Sequence, residues 1–236
     1  MGEGKIRHWG GNKVLALDFK LVAQNVRGLN DKEKRNTIFN FMRSKGSVSF
    51  LQETHSNRLI EQSWRDEWGG GSAIFSHGTS ASRGCMILID SILEHKIIDF
   101  KADEDGRYIL AKSEIQGVKF FLMNVYAPND RNEHGDFLEK LLNEIISFYD
   151  EDYYHIIQEG DWNHTPDNDM DRLLEAGVRP APWKKSIEFF GKIQSFLNCS
   201  DVWRIRNPDT KQFSWHGNRR GRDLAESIAS AFQTVY

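Results

Sequence analysis

His155-Ile156-Ile157-Gln158-Glu159-Gly160-Asp161-Trp162-Asn163 begins as an apolar strand and ends in an acid and an amide. Asp161 and Asn163 stand at i and i+2, a spacing that puts both side chains on one face of an extended segment, and Gly160 permits close backbone approach just before them. Upstream, Phe137 opens a run in which Leu138, Leu141, Leu142, Ile145, Ile146 and Tyr149 recur at helical spacing. Downstream, Ile187, Phe190, Ile193 and Leu197 mark a second helix from about Trp183 to Leu197.

The same figure recurs towards the amino terminus. Lys20 to Val26 reads as a strand, and Gly28-Leu29-Asn30-Asp31 makes a turn with a helix N-cap. Ile38, Phe39, Phe41 and Met42 then lie on one helical face, with Gly46 as a stop. Val48 to Leu51 is a short buried-type strand that runs into Gln52-Glu53-Thr54-His55. Cys85 to Ile89 is another, entered through Gly84, and Lys119 to Val125 is a third, closed by Tyr126-Ala127-Pro128-Asn129, where the proline stops ladder pairing. Alternating strands and helices imply a layered α/β domain. Met1 to Leu17 holds four glycines and no clean period, so residues 1–18 are expected to be a leader, residues 19–222 the domain, and 223–236 a divergent tail of weakly helical character.

Four strands thus deliver polar groups at their carboxyl ends: Asn25, Glu53, the Tyr126 to Asn129 segment, and Asp161 with Asn163. In open α/β sheets that edge is where ligands bind. Each group taken singly has a plain structural explanation as a strand terminus, turn residue or loop cap. Taken together, two carboxylates and amide oxygens form a hard-oxygen set suited to Mg²⁺, which binds few protein ligands and completes its shell with water and substrate phosphate.

Composition narrows the alternatives. With 236 residues, 39% hydrophobic and 28% charged, the chain can bury a full core. No apolar run approaches the roughly 20 residues that span a bilayer, and no secretory signal is evident. Cys85 and Cys199 are too few for a disulfide framework, so reduced thiols and an intracellular setting are expected. A net charge of −3 argues against holding nucleic acid by bulk charge. Any such contact must be local, and Arg204 to Arg222 is the densest basic stretch.

In order along the chain, Asn25-Val26-Arg27-Gly28-Leu29-Asn30, Gln52-Glu53-Thr54-His55, Asn124-Val125-Tyr126-Ala127-Pro128-Asn129 and Gly160-Asp161-Trp162-Asn163 resemble the signature blocks of LINE-type (non-LTR) retrotransposon endonucleases. These belong to the AP-endonuclease-like and DNase I-like endonuclease/exonuclease/phosphatase superfamily. The resemblance covers about Lys20 to Trp215 and includes Ser82 to Ile89, Asp201-Val202-Trp203-Arg204 and Phe213-Ser214-Trp215. It implies a four-layer α/β/β/α sandwich with two mainly antiparallel sheets, where alternation alone would suggest one parallel sheet. It implies that Glu53 ligates Mg²⁺ (or Mn²⁺) with Asn25 beside it, and that Tyr126 and Asn129 sit against the scissile phosphate. Asp161 would align or activate the attacking water, and Asn163 would hold a phosphate oxygen. Ser214 sits where that family has a hydroxyl residue contacting phosphate, while Arg219 and Arg220 are candidate DNA contacts from the basic stretch Arg204 to Arg222, not from the resemblance.

By that resemblance the expected function is Mg²⁺-dependent hydrolysis of DNA phosphodiesters, the target nicking of retrotransposition. DNA is the partner, the nucleus the site of action, and neither a membrane nor a small-molecule cofactor is involved. Phosphoinositide phosphatases and sphingomyelinases share the metal Glu and the Asp-x-Asn core, but the Gln52 to His55 and Asn124 to Asn129 blocks favour the retrotransposon branch. The family pattern continues after Phe213-Ser214-Trp215 with a Ser/Arg-x-Asp segment and a late Asp-His pair. Here Arg222-Asp223-Leu224-Ala225 stands instead, and no Asp-His pair occurs in the sequence. Missing last strands and an open sheet edge, covered by another chain, are therefore expected. The alternative function is a catalytically dead remnant that binds nucleic acid or protein.

Overall fold

The computed structural model describes residues 6–7, 16–17, 19–165, 183–211, 215–219 and 222–226. Two short strands, β1 (Ile6–Arg7) and β2 (Ala16–Leu17), pair only with each other among the described residues. The domain then runs β3 (Leu21–Asn25), α1 (Lys32–Lys45), β4 (Val48–Gln52), α2 (Glu61–Trp68), β5 (Ser72–Ser76), β6 (Cys85–Ile89), β7 (His95–Ala102), β8 (Tyr108–Ile115) and β9 (Val118–Tyr126). It continues with α3 (Arg131–Phe148), a 3₁₀ turn at Glu151–Tyr153, β10 (His155–Asp161), α4 (Lys184–Phe196), α5 (Val202–Arg206) and the hairpin β11 (Trp215–Arg219) and β12 (Arg222–Glu226).

Two four-stranded sheets carry the fold, ordered β3-β4-β6-β5 and β10-β9-β8-β7. Each has one parallel pairing, β3 with β4 and β10 with β9, and two antiparallel ones. The sheets are thus mixed and mainly antiparallel. Three separate apolar clusters show four layers. Phe50, Cys85, Ile87, Ile109, Phe120, Leu122 and Ile157 fill the space between the sheets. Phe39, Met42, Leu51, Trp64, Trp68 and Leu88 join α1 and α2 to the first sheet. Phe121, Met123, Leu138, Leu141, Ile145, Phe190 and Ile193 join α3 and α4 to the second. Cys85 and Cys199 are buried and form no disulfide.

The strand period of two explains the site. Leu21 and Ala23, then Val48 and Phe50, then Phe120 and Leu122, then Ile157 all face the inter-sheet core. Two or four residues further on, the same faces end in Asn25, Gln52, Tyr126 and Asp161. Burial of one face therefore aims four polar side chains at one edge.

Between that edge and the apolar core sits a cross-sheet clamp. Asn124, fully buried on β9, donates through Nδ2 to the carbonyls of Leu51 (3.0 Å) and Met86 (2.8 Å) in the opposite sheet. Its Oδ1 accepts from Gln52 Nε2 at 2.7 Å. Each such bond adds only about 1 kcal/mol net, but an unpaired buried donor costs about 1–3 kcal/mol, so the clamp penalises any slip between the sheets. It ties the backbone beside Glu53 to the strand that ends in Tyr126.

Several sequence expectations are corrected. Asp31 is the N-cap of α1, its side chain accepting from Lys34 N–H, but Phe41 is exposed, because Arg35, Phe39 and Met42 define the buried face. Ile146 and Ile187 likewise lie on outer faces. Strands β5, β7 and β8 and helix α2 have no counterpart in the sequence reading. In β7, His95-Lys96-Ile97-Ile98-Asp99-Phe100-Lys101-Ala102, charged and apolar residues are mixed without a strict period and no residue is buried. Asp223 to Glu226, expected to be weakly helical, is the strand β12, where pairing with β11 overrides local preference; residues 227–236 lie outside the described residues.

Glu159, on β10 two residues before Asp161, is fully buried, and neither carboxylate oxygen has a hydrogen-bond partner among the described residues. Burial, followed by the charge of Asp201, pushes its pKa well above the ordinary carboxylate range. The folded chain therefore keeps this proton to a higher pH than the unfolded chain, and stability falls as pH rises from the ordinary range through the raised value. Glu159→Gln should melt several degrees above the parent at pH 8 and together with it at pH 4. An equal offset at both pH values in thermal unfolding would refute this account.

Candidate active site

The site lies where the two parallel strand pairs end. In the first sheet Asn25 is opposite Gln52, one residue before Glu53; in the second Tyr126 is opposite Asp161. Asn25 joins the sheets: its Nδ2 donates to Glu53 Oε1 at 2.7 Å and to Asp161 Oδ2 at 3.0 Å. Its Oδ1 accepts from the Arg27 backbone N–H at 3.1 Å. The group that Asn25 turns to the carboxylates is thus its N–H₂, which holds the two acids a fixed distance apart.

The backbone of these loops is held in uncommon conformations. Arg27, Glu53, His55 and Asn163 have φ of 48°, 54°, 57° and 46°, the left-handed region that costs a non-glycine residue about 1–3 kcal/mol and clusters at functional sites. Neighbouring contacts enforce it. Gly28 N–H and Leu29 N–H donate to the carbonyls of Glu53 and Thr54 at 2.6 and 3.0 Å. Behind the Glu53 loop, Thr54 Oγ1 donates to Ser56 Oγ at 3.1 Å, Ser56 Oγ lies 3.1 Å from His77 Nδ1, and His77 Nε2 lies 2.8 Å from Glu61. Arg35 grips Glu67 at 2.6 and 2.9 Å and the Leu29 carbonyl at 2.7 Å, fixing the β3–α1 loop against both helices.

On the second sheet, Asp161 Oδ1 accepts from Asn163 N–H at 3.2 Å, and the Asp161 carbonyl accepts from Ala127 N–H at 2.9 Å. Asn163 Nδ2 donates to the Ala127 carbonyl at 2.8 Å. The Asp161 to Asn163 turn and the Tyr126 to Asn129 turn are therefore one hydrogen-bonded unit. Gly160 makes this closeness achievable. It has φ +148°, and a Cβ there would lie 2.1 Å from the Val125 carbonyl oxygen.

Burial raises the pKa of Asp161, and the nearby Glu53 charge adds to this, while Asn25, the Asn163 N–H and Arg27 oppose it. Burial also raises the pKa of Tyr126, whose hydroxyl is hydrogen-bonded to Glu53. The Arg107 guanidinium lies 5.1 Å from the centre of the Tyr126 ring, a cation–π contact that sequence reading did not single out. Two carboxylates sharing one amide donor, one of them raised in pKa by burial, make a pair that a cation would relieve. Among the described residues no three His, Cys, Asp or Glu side chains converge as a metal centre. Carboxylate oxygens of this kind are hard donors, of the type that suits a hard divalent cation rather than the nitrogen and sulfur ligands of zinc.

Of the expected site residues, Asn25, Glu53, Tyr126, Asp161 and Asn163 thus converge. Asn129 is exposed on the loop just before α3. Ser214 and Arg220 lie outside the described residues, and Arg219 is described only as the end of β11. Arg204 donates to the carbonyls of its own turn, Asn207 at 3.5 Å and Thr210 at 3.0 Å. Asn124 is read in the sequence only as the first residue of a signature block, and neither its cross-sheet role nor any role for the buried His134 follows from it, although a lone amide inside Phe120-Phe121-Leu122-Met123-Asn124-Val125 is a visible signal.

No family model matches the chain. It is 32% identical over 200 residues to the transposon TX1 uncharacterized 149 kDa protein of Xenopus laevis; the match covers 84% of this chain and 14% of that relative, so the chain spans about one seventh of its length. Among solved structures, an AP endonuclease from Archaeoglobus fulgidus superimposes with a TM-score of 0.62 at 18% identity, covering 88% of this chain and 86% of that one. TDP2 from D. rerio, solved with a single-stranded DNA product, gives a TM-score of 0.55 at 15% identity, covering 88% and 80%. The two structures share the sandwich, and the transposon relative matches 84% of this chain. With the four signature blocks converging at one edge of that sandwich, the transposon relative and the shared fold together support the reading of this chain as a LINE-type endonuclease domain of the endonuclease/exonuclease/phosphatase superfamily.

Proposed function

We propose that this domain is a Mg²⁺-dependent phosphodiester hydrolase that nicks DNA. The observation that supports this best is the Asn25 amide joined to Glu53 and Asp161 across the two sheets. Glu53, with Asn25 beside it, would hold Mg²⁺, with Mn²⁺ as a substitute. The ion would supply charge neutralisation on the phosphate and the leaving oxygen. Asp161, with a pKa raised by burial, takes the role of orienting and deprotonating the attacking water, since a base works best when its pKa approaches the working pH.

Tyr126, held by Glu53 and by Arg107, and Asn129 on the loop before α3 face the scissile phosphate in this reading, and Asn163 holds one of its oxygens. Ser214, Arg219 and Arg220 contact the flanking backbone. In a longer element-encoded protein the nick supplies a 3′ hydroxyl that primes reverse transcription, which places the reaction on nuclear DNA.

Supercoiled plasmid incubated with the purified chain should relax to nicked circles in Mg²⁺. EDTA and Glu53→Ala should each leave it intact. A folded parent chain that binds the plasmid in a salt-dependent way yet never nicks it would replace this reading with that of a binding remnant.

A further inference from the structure

His134 lies in the first turn of α3, is fully buried, and takes no part in the chemistry proposed above. Its Nε2 is 2.8 Å from the Trp162 carbonyl oxygen and its Nδ1 is 3.0 Å from Ser186 Oγ on α4. A carbonyl can only accept, so Nε2 carries the hydrogen and, in the neutral ring, Nδ1 accepts from the Ser186 hydroxyl. The ring stacks on His164 at 5.7 Å and meets Trp183 edge-on at 5.3 Å. Burial lowers its pKa, which keeps the ring neutral.

Trp162 is the residue between Asp161 and Asn163. Its indole is fixed edge-on against Phe190 at 5.2 Å. Asp161 is held on one side by Asn25 and Ala127, and Asn163 on the other by Ala127. His134 supplies the bond to the carbonyl in between, and it does so from the helix that begins two residues after Asn129. We propose that His134 is a positioning residue, which sets the Asp161–Asn163 turn relative to α3 and α4 and thereby fixes where the Asp161 carboxylate and the Asn163 amide are presented. This rests on the reading of Asp161 and Asn163 as reactive groups, but the positioning itself has a readout that needs no activity.

The test compares His134→Leu, which removes the donor, His134→Gln, which retains an N–H of similar reach, and Ser186→Ala, which removes only the partner of Nδ1. Amide hydrogen exchange on the metal-free chain should show Ala127 and Asn163 exchanging at least tenfold faster in His134→Leu, with Ile156 to Glu159 and the middle of α3 unchanged. In plasmid nicking the kcat of His134→Leu should fall about 10- to 100-fold with KM within threefold, the scale expected for a reactive group displaced by about 1 Å. His134→Gln should recover most of both effects, and Ser186→Ala should stay within threefold of the parent.

Unchanged exchange at Ala127 and Asn163, a loss spread evenly over α3 and α4, or equal damage from Leu and Gln would each overturn the proposal. If the parent chain does not nick while the exchange pattern appears as expected, the catalytic reading falls and the positioning stands.

Discussion

Asp161→Asn should lower Mg²⁺-dependent plasmid nicking by about 10²- to 10⁴-fold, the range associated with losing a general base, while the protein stays folded. Asparagine has the shape of aspartate, and its Oδ1 can accept either the Asn25 amide or the Asn163 N–H, the two bonds the carboxylate now takes at 3.0 and 3.2 Å. The variant also removes a charge that burial and the neighbouring Glu53 both disfavour. Its melting temperature in EDTA at pH 8 should therefore equal or exceed that of the parent. The opposite signs matter, because loss of activity through simple unfolding would carry a lower melting temperature with it. Nicking within tenfold of the parent would remove Asp161 from the role of base.

Gly160→Ala should produce the largest loss of stability. A Cβ at this position would stand 2.1 Å from the Val125 carbonyl oxygen and 2.8 Å from its nitrogen, and the residue has φ +148°. The obstacle is the backbone of the adjacent parallel strand, where Gly160 pairs with Val125, so no side-chain rotation relieves it. Strand separation and backbone strain together should cost about 3 kcal/mol or more, which is a drop of roughly 6–12 °C for a domain of this size. Urea or thermal unfolding measures it directly. A melting temperature within 2 °C of the parent would show that β9 and β10 do not approach as described. Gly117, left-handed on the β8–β9 turn with open space around its Cβ position, is the control. Its alanine variant meets the φ penalty without the clash and should lose distinctly less.

The sheets and site of this chain were legible in the sequence to different depths. Buried strands such as β4, β6, β9 and β10 announce themselves because both of their faces meet apolar layers, giving unbroken runs like Cys85-Met86-Ile87-Leu88-Ile89. The exposed faces of β7 carry Lys96, Asp99 and Lys101 among apolar residues, and an edge strand of that kind reads no differently from a loop until its partner is in place. Helix faces were read from spacing alone, which placed Phe39 and Met42 inside but could not show that Phe41 and Ile187 point outward.

Local sequence determined which residues end the buried strands, and so that an acid or amide stands at each of four carboxyl ends. It also placed Gly160 before Asp161 and an N-cap at Asp31, since strand period, turn chemistry and capping act over a few residues. Only the tertiary structure decided that these ends meet. The Asn25 amide touches Glu53 and Asp161, 28 and 136 residues away, and Asn124 locks onto Leu51 and Met86 from the opposite sheet. His134 reaches Trp162 from 28 residues upstream. Such contacts depend on how two sheets stack and which strands run parallel, and a hydrogen bond across that distance leaves no periodic trace in the chain.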